Sequence, residues 1–284
     1  MAALEGAGTG EGAGSAAQDR AAPPVLSISG LKTQFGTSVI HENLDFSVQP
    51  GEVMGVVGGS GTGKSVLIRT IIGLNKPTAG RISVFGRDLA GLNGAELMAM
   101  RSRWGVLFQD GALFSSLTVA QNIEVPMKEH SDLSPALRQE LIDVKISMVG
   151  LPPDAAHKYP AELSGGMRKR AGLARALALD ADILFLDEPT AGLDPIGAAN
   201  FDILIGDLQR ALGLTVVMVT HDLDSLYAIC DRVSVLVDKR VKVGTIDALM
   251  REPDPWIQEY FGGPRGRAAA GSAEKAGTQP AGTA

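Results

Sequence analysis

Eight residues constrain this chain more than any others: Gly58-Gly59-Ser60-Gly61-Thr62-Gly63-Lys64-Ser65. They fit the pattern G-x-x-x-x-G-K-[ST] at every fixed position. The apolar run Val53-Met54-Gly55-Val56-Val57 just before them reads as a short buried strand, and a helix is expected from about Lys64 to Ile72. Glycines let backbone N–H groups turn inward around a phosphate, in conformations costly for residues with a Cβ. The helix that starts there adds the positive end of its dipole. Gly58, Gly59, Ser60, Gly61, Thr62, Gly63, Lys64, Ser65 and Val66 are therefore expected to line a nucleotide's phosphates. Lys64 would reach the β- and γ-phosphates, and the Ser65 hydroxyl would take a position on Mg²⁺.

The rest of the chain supplies a scaffold for such a loop. Alternation in Leu26–Leu31 and Leu44–Val48 predicts an antiparallel strand pair, closed by the turn at Pro50-Gly51. Further strands are expected at Arg81–Phe85, Trp104–Phe108, Ile183–Leu186, Thr215–Val219 and Arg232–Val237, with helices between the later ones. That is the rhythm of an α/β fold with a mostly parallel core sheet and crossover helices, preceded by an N-terminal antiparallel β-subdomain. Residues 111–163 break the rhythm with helical periodicity and no good strand, including Ser134-Pro135 as N-cap and first helical position, then Leu137, Leu141 and Met148. An α-helical subdomain inserted at about residues 111–165 is expected. Residues 25–262 make one domain ending in a helix at about 254–262, where Asp254 caps and Pro255 opens it. Residues 1–24 and 263–284, rich in Gly and Ala, read as flexible tails.

Two more strand ends carry chemistry. Ile183-Leu184-Phe185-Leu186 runs into Asp187-Glu188, and a carboxylate at the end of a buried strand calls for a cation nearby. Asp187 is placed to hold Mg²⁺, and Glu188 to orient and deprotonate an attacking water. The strand at Thr215–Val219 leads through Thr220 into His221-Asp222, where His221 could sense a γ-phosphate at the sheet edge that binds ligands in α/β folds. Downstream of the insertion, Leu163-Ser164-Gly165-Gly166-Met167 opens an amphipathic helix at about 166–179, so Ser164, Gly165 and Gly166 form a second helix-N-terminal anion site.

Bulk properties exclude other classes. With 26 basic and 32 acidic residues the net charge is −6, which argues against a nucleic-acid footprint. One cysteine, Cys230, cannot form an internal disulfide or a Cys-based metal site; it lies in an apolar run and is expected to pack there, as in a reducing cytosol. No uncharged apolar stretch approaches the ~18–20 residues that span a bilayer, and no basic-then-apolar leader opens the chain. A cytoplasmic chain is expected, one able to dock on something embedded in the membrane.

Taken together, the phosphate loop, the helical insertion, the Leu163–Met167 pentad and the acidic strand resemble the nucleotide-binding subunits of ABC transporters over roughly residues 25–250. The resemblance implies ATP and Mg²⁺ as cofactors, ATP hydrolysis as the reaction, and the P-loop NTPase fold. It makes Gln109 the Q-loop residue that joins core to helical subdomain, at the metal and in catalysis. It makes Ala191-Gly192-Leu193-Asp194 the D-loop, with Asp194 near nucleotide, and Phe35 the aromatic platform for adenine. It further implies a head-to-tail dimer of two copies, each ATP lying between Lys64, Ser65 and Asp187 of one and Ser164 to Gly166 of the other. Met167 stands where the family usually has Gln, and Phe35 where it usually has Tyr; phosphate contact falls to Ser164 and the glycine amides, and Phe keeps the stacking face.

Leu107-Phe108-Gln109-Asp110-Gly111-Ala112-Leu113-Phe114, the pentad with Met167, and Pro253-Asp254-Pro255 are similar to the ATPase subunit of MCE-type phospholipid transporters, the Mla system. That narrower resemblance implies a membrane permease, an MCE-domain protein and a STAS-domain subunit as partners. It also implies phospholipid, moving between inner membrane and cell envelope, as cargo, and the cytoplasmic face of the inner membrane as location. Phe108, Leu113, Phe114, Leu117 and Val125 are more apolar than a solvated subdomain should show, and the stretch 108–127 is expected to dock a permease helix. Three aromatics in Trp256-Ile257-Gln258-Glu259-Tyr260-Phe261 suggest a contact with a partner chain. An importer subunit for amino acids or metals, and a soluble ABC ATPase without permease, are the alternatives. For the latter, repair types need long coiled-coil insertions and translation types need two such domains, whereas 284 residues carry one phosphate loop here.

Overall fold

A computed structural model describes residues 22–277; the proposed tails at 1–21 and 278–284 lie outside the described residues. The chain opens with the expected antiparallel pair, β1 (Leu26–Phe35) and β2 (Ser38–Val48), with Leu26 opposite Val48 and Phe35 opposite Ser38. β3 (Val53–Gly58) feeds the glycine-rich loop, and α1 (Lys64–Ile71) follows it. β4 (Ala79–Val84) and the short β5 (Arg87–Asp88) return to the first sheet. Next come α2 (Gly94–Arg101), β6 (Trp104–Leu107), and then the helical insertion of α3 (Val119–His130) and α4 (Pro135–Met148). α5 (Gly165–Ala176), β7 (Ile183–Asp187), α6 (Pro195–Leu212), β8 (Thr215–Val219), α7 (Leu223–Ile229) and β9 (Arg232–Val237) alternate as crossovers require. β10 (Arg240–Gly244), α8 (Ile246–Leu249), α9 (Pro255–Gly262) and α10 (Pro264–Gly277) complete the described chain.

Two sheets result. The first, in the order β2-β1-β4-β5, is antiparallel. The second, β10-β9-β3-β8-β7-β6, is parallel except at its β9–β10 edge. All five residues of β7 and of β8 are buried, as strands covered on both faces must be. One apolar core lies between the sheets and α1, joining Leu26, Ile28, Leu67, Ile71 and Phe185. A second, on the opposite face of the parallel sheet, runs from Leu184, Leu186 and Val216 through α5 into Val119, Ile123 and Ile146 of the insertion. The helical subdomain thus shares its core with the sheet.

Three expectations need correction. In α4 the buried residues are Ile142, Lys145 and Ile146, with Leu141 and Met148 packed partly buried beside them, while Leu137 is exposed. Apolar residues occupy two adjacent stripes of this helix, and the stripe containing Lys145 is drawn in because its ammonium pairs with Asp180, 2.5 Å away. Residues 264–277 are helical rather than a loose tail, and α10 packs on α7 and α9. Small residues permit this: Gly266 and Ala269 are buried, and a Cβ on Gly266 would collide with the Phe261 carbonyl. Finally, α9 turns its apolar side into its own domain. Ile257 and Phe261 are fully buried against Val57, Leu226, Val233 and Val235, and Trp256 and Tyr260 pack partly buried on the same cluster, so Phe261 at least serves its own domain.

Close backbone approach locks α5 onto the sheet. A Cβ on Gly105 in β6 would be driven into the Ala176 carbonyl and to 3.0 Å from Leu184 Cδ1. Gly105→Ala is expected to destabilise the fold by about 1–3 kcal/mol through overpacking, read as a lower urea midpoint with an unchanged slope.

Candidate active site

The glycine-rich loop is built to leave amides free. Gly63 occupies the N-cap of α1 at φ 93° with no side-chain cap, and no acidic residue lies in the first turn. The orphan N–H groups of that turn are therefore available to an anion. Gly63 is also fixed by space, since a Cβ there would strike Ile40 and come within 2.6 Å of His41 Nε2. Lys64 Nζ donates to the Gly58 and Gly59 carbonyls, at 2.8 and 3.0 Å. Burial lowers its affinity for a proton, and the charges of Glu188 and Asp187 act against that.

Beside the loop, at the same edge of the sheet, the Ser65 hydroxyl donates to Asp187 Oδ1 at 3.1 Å. Residues 122 apart in sequence thus meet where the divalent ion was expected. A hydroxyl and a carboxylate are hard oxygen donors suited to Mg²⁺, which keeps water and substrate oxygens in its remaining positions. Among the described residues no group of three or more His, Cys, Asp and Glu could hold a metal; two protein oxygens beside a phosphate cradle are the donor set that fits. Glu188 follows in the left-handed region, φ 51°, and its Oε2 lies 2.7 Å from His221 Nδ1. Glu188 is largely buried and His221 is 71% exposed, so the pair closes one wall of an open site.

Lys169, on the inward face of α5, escaped the motif reading. It is 4% exposed, and its ammonium donates to the Gln109 carbonyl at 2.7 Å and the Glu188 carbonyl at 3.2 Å. Burial lowers its pKa while Asp110 and Glu188 hold it up. One side chain therefore ties the loop after β6, the end of β7 and the pentad helix together. The signal available in sequence was a lysine on the apolar side of an amphipathic helix, which is costly without partners. His41 was missed as well. It is fully buried, its Nδ1 lies 2.6 Å from the Thr33 hydroxyl, and burial pushes its pKa down to about 4 against the opposing pull of the Gly63 and Thr62 backbone.

Other expected site residues stand apart from this edge. Ser164 caps α5 by accepting from the Met167 N–H at 3.2 Å, and it is exposed. Gly165 and Gly166 form the first turn of α5, with Gly166 close to Leu193 of the Ala191–Asp194 loop. Asp194 accepts from the Ile196 and Gly197 amides, at 3.1 and 3.0 Å, as the N-cap of α6. Phe35 ends β1, half-exposed, and pairs with Ser38 across the turn. Gln109 presents its side chain to solvent. Of the expected docking residues, Phe108 and Leu113 pack onto the two cores, whereas Phe114 and Val125 line a groove of about 660 Å³ with Met98 and Trp104. Cys230 packs beside Gly55, and burial pushes its thiol pKa up.

Comparison with known proteins agrees with this geometry. The family described as ABC transporter matches residues 41–191. "Probable ribonucleotide transport ATP-binding protein mkl" of Mycobacterium tuberculosis is 39% identical over 241 residues, 84% of this chain and 67% of that one. "Intermembrane phospholipid transport system ATP-binding protein MlaF" of Haemophilus influenzae is 37% identical over 240 residues, 84% of this chain and 90% of that one. The MlaF of Escherichia coli is 38% identical over 229 residues, covering 80% and 85%. Among solved structures, the dimeric ATP-binding cassette MJ0796 bound to ADP and Pi superposes with a TM-score of 0.70 at 28% identity, over 78% of this chain and 98% of that one. The cbiO1 protein of Clostridium perfringens, part of the ABC transporter complex cbiONQ, gives 0.73 at 28% identity, over 88% and 98%. With the phosphate loop, the acidic strand and the pentad disposed on this fold, the chain belongs to the ABC transporter family, as one of its ATP-binding, ATP-hydrolysing subunits.

Proposed function

We propose that this chain powers a membrane transporter of phospholipid by closing and reopening an ATP-bound dimer. The observation that carries the catalytic part is the convergence of Lys64, Ser65, Asp187, Glu188 and His221 on one sheet edge. On this reading Lys64 exchanges the Gly58 and Gly59 carbonyls for β- and γ-phosphate oxygens. Ser65 and Asp187 hold Mg²⁺, which neutralises charge building on the phosphates. Glu188 orients the attacking water and takes its proton, and His221, held by Glu188, contacts the γ-phosphate. Gln109 reports the occupant to the helical subdomain through the backbone that Lys169 grips. Phe35 stacks on the adenine, and Asp194 lies near nucleotide at the dimer interface.

Ser164, Gly165 and Gly166 face outward with an open helix N-terminus, which suits an anion carried on a second copy of the chain. The relative MJ0796 is dimeric with ADP and Pi, which supports the same pairing here. A cytoplasmic helix of the permease is the proposed occupant of the groove beside Phe114 and Met98, which are 52% and 58% exposed. Among the described residues no helix is long and apolar enough to cross a membrane, so this chain would reach the cytoplasmic face of the inner membrane through that contact. MCE-domain and STAS-domain subunits complete the proposed assembly. Phospholipid is favoured as cargo by the MlaF relatives, whose names state it and of which this chain covers 85–90%. Ribonucleotide, named for the mkl relatives, is the second reading.

Reconstitution with the co-purified membrane subunits separates the cargoes. ATP-dependent exchange of labelled phospholipid between vesicles is expected, and ribonucleotide flux without lipid exchange would reverse the choice. Glu188→Gln is expected to bind ATP normally and lower kcat about 10²–10⁴-fold, measured by phosphate release; near-normal turnover would remove Glu188 as the base. Lys169→Met leaves the Gln109 carbonyl without its donor and the Glu188 carbonyl with only the Ala191 amide, and is expected to cost about 1–3 kcal/mol of unfolding free energy, read by denaturant titration.

A further inference from the structure

The C-terminal helix α9 touches the site from a side that the motifs do not describe. Its start is pinned: Asp254 accepts from the Trp256 and Ile257 amides, at 3.0 and 3.3 Å, and Lys242 on β10 lies 3.7 Å from the same carboxylate. Its packing is supplied by Ile257 and Phe261, both fully buried. Trp256 and Tyr260 are one turn apart on the neighbouring stripe, partly buried at the margin of the same apolar cluster. Their rings stack, with centroids 4.7 Å apart and planes 13° from parallel. A second contact, Phe261 edge-on to Tyr260 at 5.0 Å, fixes the phenol from behind.

The two ends of this stack reach two different parts of the site. Trp256 Nε1 lies 3.6 Å from where a Cβ on Gly59 would sit, against the phosphate loop. The Tyr260 hydroxyl donates to the His221 carbonyl at 3.3 Å. Burial and the nearby charges of Glu188 and Asp222 push the phenol pKa up, so it remains a neutral donor. His221 is therefore held twice, by Glu188 through its ring and by Tyr260 through its backbone. Gly59 meanwhile supplies one of the carbonyls that Lys64 grips without nucleotide. The indole thus neighbours the residue whose carbonyl Lys64 would exchange for phosphate.

We propose that the Trp256–Tyr260 stack is a positioning device that links the phosphate loop at Gly59 to His221, so that α9 sets the placement of the γ-phosphate contact. This rests on the assignment of Glu188 and His221 to hydrolysis. Stiff stacked rings one helical turn apart transmit displacement better than flexible side chains would. Tyr260 and Trp256 act through His221 and Gly59 and touch no reacting atom.

The test uses the purified full-length chain. Tyr260→Phe keeps the stack and deletes one hydrogen bond; it is expected to lower kcat about three- to tenfold while KM for ATP stays within about twofold and the thermal midpoint is unchanged. Tyr260→Ala, which also loses the stack, is expected to fall further, and Tyr260→Phe then stands as its partial rescue. Trp256 and Trp104 are the two tryptophans, and Trp104 sits in β6, packed against Phe185. ATP should therefore shift the emission of Trp104→Phe and leave that of Trp256→Phe unmoved. A wild-type kcat in Tyr260→Phe, or a nucleotide-dependent shift that survives in Trp256→Phe, would overturn the link. Glu188→Gln separates the causes. If it abolishes turnover while Tyr260→Phe is normal, the link alone fails; if it turns over normally, the assignment of the site fails and the link with it.

Discussion

Parallel pairing of β3, β8 and β7 is the constraint on which the site depends. Neighbouring strands lie about 4.7–4.9 Å apart, so the residues that follow three adjacent strands must arrive within about 10 Å of one another. Val56 is opposite Val219, and Asp187 is opposite Val219 on the other side. The glycine-rich loop, His221 and the Asp187-Glu188 pair are thus delivered to one edge by register alone. Parallel strands need long crossovers, which is why functional residues are scattered from 58 to 221. It is also why the segment between β6 and β7 can hold a helical insertion without disturbing the edge.

Two lysines occupy that edge in different ways. Lys64 and Lys169 each hold two backbone carbonyls in a partly dehydrated setting, and each is kept charged by nearby carboxylates. The partners of Lys64 belong to its own loop, and neutral carbonyls are weaker acceptors than ionised oxygens. An arriving phosphate displaces them with little reorganisation of the backbone. The partners of Lys169 belong to two other segments, and releasing them would separate the loop at Gln109 from the end of β7. One lysine is built to change partners and the other to keep them.

Much of this was legible in the sequence where the cause is local. The phosphate loop, the strand ending in Asp187, the Ser164 cap and the Asp254-Pro255 helix start each follow from short-range backbone chemistry, and β8 and β9 have the bounds expected of them. The convergence of Ser65 and Asp187 followed from reading the strands as one parallel sheet. What escaped depends on tertiary neighbours. Lys169 lies on the apolar side of its helix, but its partners, the carbonyls of Gln109 and Glu188, come from segments far away in sequence. Of the stripe expected on α4, Leu141 and Met148 pack on the core and Leu137 does not, and the burial of Lys145 beside them rests on Asp180, beyond α5. The helix at 264–277 was hidden by its own composition: the Gly and Ala that resemble a loose tail are what let it lie against α7.

Charge gives the exposed pentad its meaning. Each chain carries a net charge of −6, so two copies repel, and a bound nucleotide adds further negative charge between them. Against this, the N-termini of α1 and α5 carry uncapped or singly capped amides and no acidic residue in the first turn. Facing each other with nothing between, two such positive ends would also repel. A polyanion between them turns the repulsion of the two helix ends into attraction of each end for the phosphates. On the proposed pairing, closure is therefore unfavourable until phosphates fill the gap, and cleavage of the γ-phosphate removes the group that both helix ends share. Leu193 lies beside Gly166, 3.9 Å from where a Cβ there would sit, so on the proposed pairing the pentad and the Ala191–Asp194 loop of one chain are neighbours at the interface.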